Sequence, residues 1–271
     1  NTRDSESLME ATDAVEMKNV FPSQGKVITR KGYTEYATGL NGNVETLAEL
    51  RNGTIKKFIC CNAGEINDVT DSTSISNLKT GLSNSRFQTV SMNANLLMFN
   101  GVDTPLVYDG STVVNSTIHG SGLTASTLTG CNVHKNRLYA WDTDSSSFWY
   151  GSTNAIQGLF KEFDLSGVAP YGGNLILMET WNHDGGDGVD DYALFLMSSG
   201  TAFLYEGSDP NNANNWSLIG IYKIGEPVST RASTKIGGDI AIMTKQDFVF
   251  FSEVFKNGGA VTSQTKLSGA A

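Results

Sequence analysis

The sequence predicts an all-β protein built like a β-propeller, from repeated modules of antiparallel strands. Three observations support this prediction. The chain of 271 residues contains 29 glycines and only five prolines, and Ser, Thr and Asn fill the gaps between short apolar runs, which is typical of strands joined by tight turns. Pairs of apolar runs, each closed by an aromatic residue, recur along the chain. No persistent helical periodicity is present in the sequence.

The recurring module is an apolar run, a polar or glycine turn, and a second apolar run that ends in an aromatic residue. Four copies occupy residues 95–110, 136–152, 191–208 and 238–252, and an earlier, weaker copy without a closing aromatic occupies 57–69. The closing aromatics of the last four copies, Tyr108, Tyr150, Tyr205 and Phe251, are 42, 55 and 46 residues apart. A four-stranded propeller blade takes about 40–50 residues, so the spacing favours blades. The alternative is a β-sandwich, in which hairpins also recur.

The remaining segments complete the predicted organisation. Residues 1–22 are expected to form an extended N-terminal arm, 23–256 the propeller-like domain, and 257–271 a flexible tail. Residues 86–92 alternate in polarity and predict the leading strand of a blade. The stretch 111–129 is low in charge and rich in Ser, Thr and Gly, and predicts a long exposed loop or a frayed edge.

Composition excludes several classes of function. The formal net charge is −9 and the basic residues are not clustered, so tight nucleic-acid binding is not expected. No run approaches the roughly 18 apolar residues that span a bilayer, so no membrane anchor is expected. Cys60, Cys61 and Cys131 fit no disulfide framework and are predicted to be buried free thiols. The chain has only three histidines, so a zinc site is not expected.

Candidate sites are few. Asp184, Asp187, Asp190 and Asp191 are spaced by glycines and could surround Ca²⁺, although a solvated turn is the simpler interpretation. Trp181 is the best-placed tryptophan for stacking on a sugar, against core packing as the default. Glu162, Asp164 and Glu179 are not paired by their spacing, and no nucleophile, phosphate-loop or metalloprotease motif is present. His134 is predicted to be a strand-edge histidine with a structural hydrogen bond. We therefore expect no catalytic residues, no cofactor and no enzymatic activity.

The sequence also resembles a family of structural proteins of short-tailed bacteriophages, the tail-nozzle or tail-tube proteins. The resemblance covers nearly the whole chain and consists of turn and packing motifs. These motifs lie at 13–22, 30–33, 36–40, 44–47, 66–70, 100–103, 133–138, 162–165, 190–192, 207–210 and 222–225.

The resemblance implies a virion protein that forms part of the short tail through which DNA is ejected. It implies a ring of identical subunits, expected to be a hexamer, below the portal and adaptor proteins, with DNA passing through without sequence-specific contacts. Assembly in the host cytoplasm would precede incorporation into the virion. The alternative from another class is a carbohydrate- or receptor-binding adhesin of the virion.

Overall fold

The computed structural model describes residues 16–23, 26–184 and 189–258, and these residues are almost entirely β-structure. The chain divides into two compact units, Asn1–Thr38 and Gly39–Ala271. The all-β prediction and the propeller architecture are confirmed, because the second unit contains five successive antiparallel sheets arranged as blades. Among the described residues, no helix is long and apolar enough to cross a bilayer.

The first unit contains a two-stranded antiparallel hairpin of β1 (Val20–Ser23) and β2 (Lys26–Thr29), in which Phe21 lies opposite Ile28. The unit boundary follows Thr38, whereas the sequence placed the end of the arm at residue 22. The difference arises because residue 22 lies inside β1, and pairing with β2 joins residues 26–29 to the arm.

Each blade is a meander in which consecutive strands pair. Blade 1 comprises β3 (Val44–Asn52), β4 (Ile55–Asn62), β5 (Glu65–Asp68) and β6 (Ser76–Lys79). Blade 2 comprises β7 (Gln88–Met92), β8 (Asn95–Phe99), β9 (Leu106–Tyr108) and β10 (Val113–Asn115). Blade 3 comprises β11 (Gly130–His134), β12 (Arg137–Trp141), β13 (Ser147–Tyr150) and β14 (Lys161–Asp164). Blade 4 comprises β15 (Leu175–Asp184), β16 (Val189–Met197), β17 (Thr201–Gly207) and β18 (Trp216–Lys223). Blade 5 comprises β19 (Ser233–Ile236), β20 (Asp239–Met243) and β21 (Phe248–Phe250), followed by helix α1 (Phe251–Lys256).

Tight turns set the register of the blades. The hairpins at Ala63–Gly64, Asn93–Ala94 and Lys135–Asn136 have two-residue loops in which both residues have positive φ. This conformation matches the twist of the flanking strands, and it fixes which face each side chain occupies.

Apolar side chains fill the interfaces between successive blades. Blades 1 and 2 share a cluster that includes Leu50, Ile59 and Met98, and a second cluster joins blades 2 and 3. Blades 3, 4 and 5 share the largest cluster, where Phe148 stacks on Phe195 with ring centroids 4.6 Å apart. Each blade buries an apolar face against the next, which explains why the sequence module must recur.

Two segments differ from the sequence prediction. The stretch 111–129 is not simply an exposed loop, because it contains β10, and Ile118 and Leu128 are buried in the cluster between blades 2 and 3. Helix α1 follows β21, where the sequence indicated only the end of a strand. Its residues Phe251 and Val254 are buried, so α1 covers part of blade 4 in addition to closing blade 5.

The fold predicts that Gly130 admits no side chain. A Cβ at this position would lie 2.3 Å from the ring of Trp141, which is 1% exposed and donates from Nε1 to the Ile176 carbonyl over 3.0 Å. We expect Gly130→Ala to lower the free energy of unfolding by about 2 kcal/mol through overpacking. Urea denaturation measures the change.

The matched control for this prediction is Gly167→Ala. A Cβ at Gly167 meets no atom within 4 Å, and its φ lies outside the left-handed region. We expect a change within about 0.5 kcal/mol. Equal stability of both variants would contradict the packing described for Trp141.

Candidate functional site: the axial pocket

The first strand of every blade faces the propeller axis, and the five first strands together surround a pocket of about 470 Å³. All five blades contribute to the lining of this axial pocket. The lining residues are Thr46 and Leu47, Phe87 to Thr89, Cys131, Asn132, Trp141, Leu177 to Glu179, Thr230, Arg231, Ser233 and Lys235. Side chains of different blades converge in this concave pocket, which makes it the candidate ligand site.

Arg231 joins the last blade to the first. Its guanidinium donates to the Glu45 carbonyl over 3.1 Å, to Thr46 Oγ1 over 2.9 Å, and to the Phe87 carbonyl. The neighbouring Thr230 carbonyl accepts from Gln88 Nε2 over 2.8 Å. A planar guanidinium with five N–H donors suits a site with three convergent acceptors, because the donors diverge in fixed directions.

The same kind of contact joins the other first strands. Asn132 Nδ2 on β11 donates to the Met178 carbonyl over 2.9 Å and to Glu179 Oε2 over 3.2 Å. Glu179 Oε1 accepts from Ser233 Oγ on β19 over 2.7 Å. The Glu179 carboxylate therefore bridges three consecutive blades. Thr46 Oγ1 on β3 accepts from the backbone N–H of Phe87, just before β7, over 2.8 Å.

Several polar groups of the axial pocket, Glu179 and Arg231 among them, thus hold blades together. Both oxygens of Glu179 accept hydrogen bonds, and the Arg231 guanidinium is bound to three acceptors. Cys131, the one thiol lining this pocket, is buried, and burial raises the pKa of its thiol far above the ordinary value. A thiol held in the neutral form is a poor nucleophile. Lys235 lines the pocket as an exposed cation.

The structure brings one of the three candidate acids to the axis. Glu179 lies in the axial pocket, whereas Glu162 and Asp164 lie on β14 at the outer edge of blade 3. Asp164 accepts from Ser146 Oγ and from the hydroxyl and N–H of Ser166, and these bonds lower the pKa of its carboxyl. The three carboxylates therefore form no shared site.

The candidate cation loop lies mostly outside the described residues. Asp184 pairs in backbone register with Val189 at the end of the β15–β16 hairpin, but Asp187 and the side chains of Asp184 and Asp190 are not described. Asp191 is half-buried on β16. Within the described part of the chain, no three His, Cys, Asp or Glu side chains are grouped for metal binding.

Trp181 is a core residue rather than a sugar-stacking platform. It is 2% exposed and packs edge-to-face on Phe251 and Phe255 of α1, with ring centroids 4.9 and 5.1 Å away. The expectation that its ring could stack on a glycan is therefore corrected, since both faces are covered by protein. The other three tryptophans, Trp141, Trp149 and Trp216, are also at most 6% exposed.

The remaining predictions on individual residues are confirmed. Cys60, Cys61 and Cys131 are buried free thiols. His134 is buried at the end of β11, and its Nε2 lies 3.0 Å from the Gly207 carbonyl of blade 4. Sequence reasoning missed Arg231, because a single arginine in a polar loop carries no signal until the fold turns it toward the axis.

Comparisons with known proteins support the fold and no more. No family model matches the chain, and no curated protein matches it. Among solved structures, BBS1N in complex with ARL6DN aligns with a TM-score of 0.53 and 9% identity, over 80% of this chain and 67% of that one. The WD40 β-propeller domain of Doa1 aligns with a TM-score of 0.49 and 13% identity, over 82% of this chain and 68% of that one. The similarity to BBS1N bears on the fold alone, and it agrees with the five blades of this β-propeller.

Arg231 is predicted to control the stability of the ring. Replacing it with Met removes the donors for the Glu45 and Phe87 carbonyls and for Thr46, and we expect a loss of about 2 kcal/mol in the free energy of unfolding. Arg231→Lys keeps the charge but not the three directed donors, so most of the loss should persist. Arg86→Met, at a neighbouring exposed arginine, is the charge-matched control. An equal effect at both sites would point to net charge as the cause and contradict the hydrogen-bonding role.

His134 is predicted to make the propeller sensitive to acid. Burial is the main reason that the pKa of its imidazole falls from 6.5 to about 4. Above pH 6.5 both the folded and unfolded chains hold it neutral. As the pH falls toward 4, the unfolded chain binds a proton that the folded chain excludes, so stability declines by up to about 3 kcal/mol.

The measurement is the midpoint temperature of thermal unfolding at several pH values from 7 to 4. It is made on the wild type and on the His134→Gln and His119→Gln variants. We expect His134→Gln to flatten the pH dependence, whereas the exposed His119 should leave it unchanged. A His134→Gln variant that keeps the wild-type slope would contradict this assignment.

Proposed function

We propose that this chain is a non-enzymatic structural subunit of a virion tail, which assembles with copies of itself into a ring. The observation that carries the proposal is the chemistry of the axial pocket. Its carboxylate and its guanidinium are used in contacts between blades, so the pocket serves to stiffen the scaffold. Rigid propellers of this kind act through their surfaces and loops.

The resemblance to tail-nozzle proteins of short-tailed phages supports the specific role. In that role the subunits form a ring, expected to be hexameric, that docks below the portal and adaptor proteins in the virion. DNA passes through the ring during ejection. In this role the protein catalyses no reaction, and its stiffness resists the mechanical load of DNA ejection.

The geometry of the axis supports a conduit between subunits rather than through each propeller. The axial pocket has a volume of only about 470 Å³, and direct hydrogen bonds of 2.7–3.2 Å link β11 to β15 and β15 to β19 around it. A DNA duplex, whose major groove alone is about 12 Å wide, does not fit through such a ring. The net charge of −9 would repel phosphates and favour passage without adhesion.

The second candidate function, glycan binding by an adhesin, is not favoured by any specific contact. The four tryptophans, which were the candidates for stacking on a sugar, are buried. We therefore keep it as the alternative, which the following experiment distinguishes from the structural role.

The test measures the oligomeric state of the purified chain and its binding to duplex DNA and to glycans. We expect light scattering to give about six times the single-chain mass, as for a hexameric ring. We expect no retention of duplex DNA at 150 mM salt and no signal on a glycan array. A monomer at all concentrations, combined with selective glycan binding, would overturn the structural role in favour of the adhesin.

A further inference from the structure

A second pocket lies away from the axis, between blades 3 and 4, and we call it the side pocket. Its lining includes Arg137 of β12, Tyr150 of β13 and Lys161 of β14, together with Asp209 from the loop that follows β17. Among the described residues, it shares none of its lining with the axial pocket. Its volume of about 320 Å³ lies at the lower end of the range for ligand sites, so it suits a small molecule rather than a sugar chain.

The guanidinium of Arg137 is buried and held in one orientation. Arg137 is 9% exposed, its Nε donates to the Ser208 carbonyl over 2.9 Å, and its Nη1 donates to the Gly151 carbonyl over 2.6 Å. The cation also lies 5.6 Å from the centroid of the Tyr150 ring.

The third nitrogen of this guanidinium is still available to a ligand. Nη2 lies 3.5 Å from Asp209 Oδ1, which is longer than an N–H···O hydrogen bond. Within the described part of the chain, Nη2 donates to no other acceptor. A guanidinium that is already fixed by two carbonyls can accept a ligand oxygen without losing further side-chain freedom.

Lys161 supplies the second positive charge. It is exposed on β14, and its ammonium group has no ion pair or hydrogen bond with the described residues. Arg137 and Lys161 together carry two positive charges and Asp209 carries one negative charge, so the lining has a net charge of +1. A monoanion neutralises this charge, whereas a dianion would leave excess negative charge beside Asp209. Because the two oxygens of a carboxylate match the N–H groups of a guanidinium, a carboxylate is the favoured monoanion.

The rest of the lining favours a ligand that also carries hydroxyl groups. Ser152, Thr153 and Asn211 are exposed at the side pocket, and their side chains can both donate and accept hydrogen bonds. We propose that the side pocket binds a small hydroxylated monocarboxylate, with its carboxylate on Arg137 and Lys161 and its hydroxyls on these three residues. The site lies within a single chain, so it does not depend on the proposed ring.

The first test compares three probes by ligand-observed NMR titration of the full chain. Glycerate carries one carboxylate and two hydroxyls, glycerol carries the hydroxyls without the carboxylate, and inorganic phosphate supplies a dianion. We expect glycerate to bind at least about tenfold more tightly than glycerol, because its carboxylate forms charge-assisted hydrogen bonds. We also expect glycerate to bind more tightly than phosphate, because Asp209 repels the second negative charge.

The second test locates the binding with variants. We expect Lys161→Met to weaken glycerate binding about tenfold and Lys161→Arg to preserve it, since only the charge is required there. Lys56→Met, at an exposed lysine on β4 of blade 1, is the matched control and should bind glycerate normally. Arg137→Lys keeps the charge but loses the fixed N–H groups, so it should also weaken binding. Circular dichroism checks that each variant is folded.

The outcomes separate the side pocket from the proposed function. Absence of glycerate binding, equal affinity for glycerate and glycerol, or phosphate binding as tight as that of glycerate would overturn the assignment of a monocarboxylate. An equal loss in Lys161→Met and Lys56→Met would place the binding elsewhere and contradict the proposal. A monomeric chain that binds glycerate at this site contradicts the ring alone, and a ring that does not bind glycerate contradicts the side-pocket inference alone.

Discussion

The closure of the propeller centres on the guanidinium of Arg231, beside which Gln88 donates to the Thr230 carbonyl. Four of the five blade interfaces are built on apolar clusters, and burial of apolar surface is a sufficient reason for those blades to stack. At the fifth interface Arg231 provides directed hydrogen bonds to two carbonyls and a hydroxyl of blade 1 and its connection to blade 2. A contact made of hydrogen bonds holds the first strands at a fixed distance, because it depends on geometry rather than on area. The axial pocket follows from this constraint.

The consequence for function is a division between the axis and the periphery. Glu179 and Arg231 would be the obvious ligand-binding groups of the pocket, but each is engaged by neighbouring blades. Exposed large apolar side chains lie outside this pocket, among them Leu159, Tyr171 and Phe248. A protein with a stiff interior and exposed apolar side chains is suited to assembly, and the proposed role in a tail ring would use that property.

Much of the fold could be predicted from the sequence. The five repeated modules correspond to blades 1–5, and the strand around Gln88–Met92 leads blade 2 as expected. Helix α1 could not be predicted, because six residues are too few to show a helical period and its position is set by packing on Trp181. The axial site could not be predicted from the sequence either. Glu179 was visible only as one acid among many, and its bonds to Asn132 and Ser233 join residues far apart in sequence. The burial of Trp181 likewise depends on α1.

The most direct test of the account is cryo-electron microscopy of the purified chain at high concentration. The account predicts closed rings in which each subunit is a five-bladed propeller whose own axis is too narrow for duplex DNA, and in which the wide opening lies between subunits. Isolated propellers, or rings whose subunits are each open along their own axis, would contradict the claim that the axis holds the scaffold together while the surfaces carry the function.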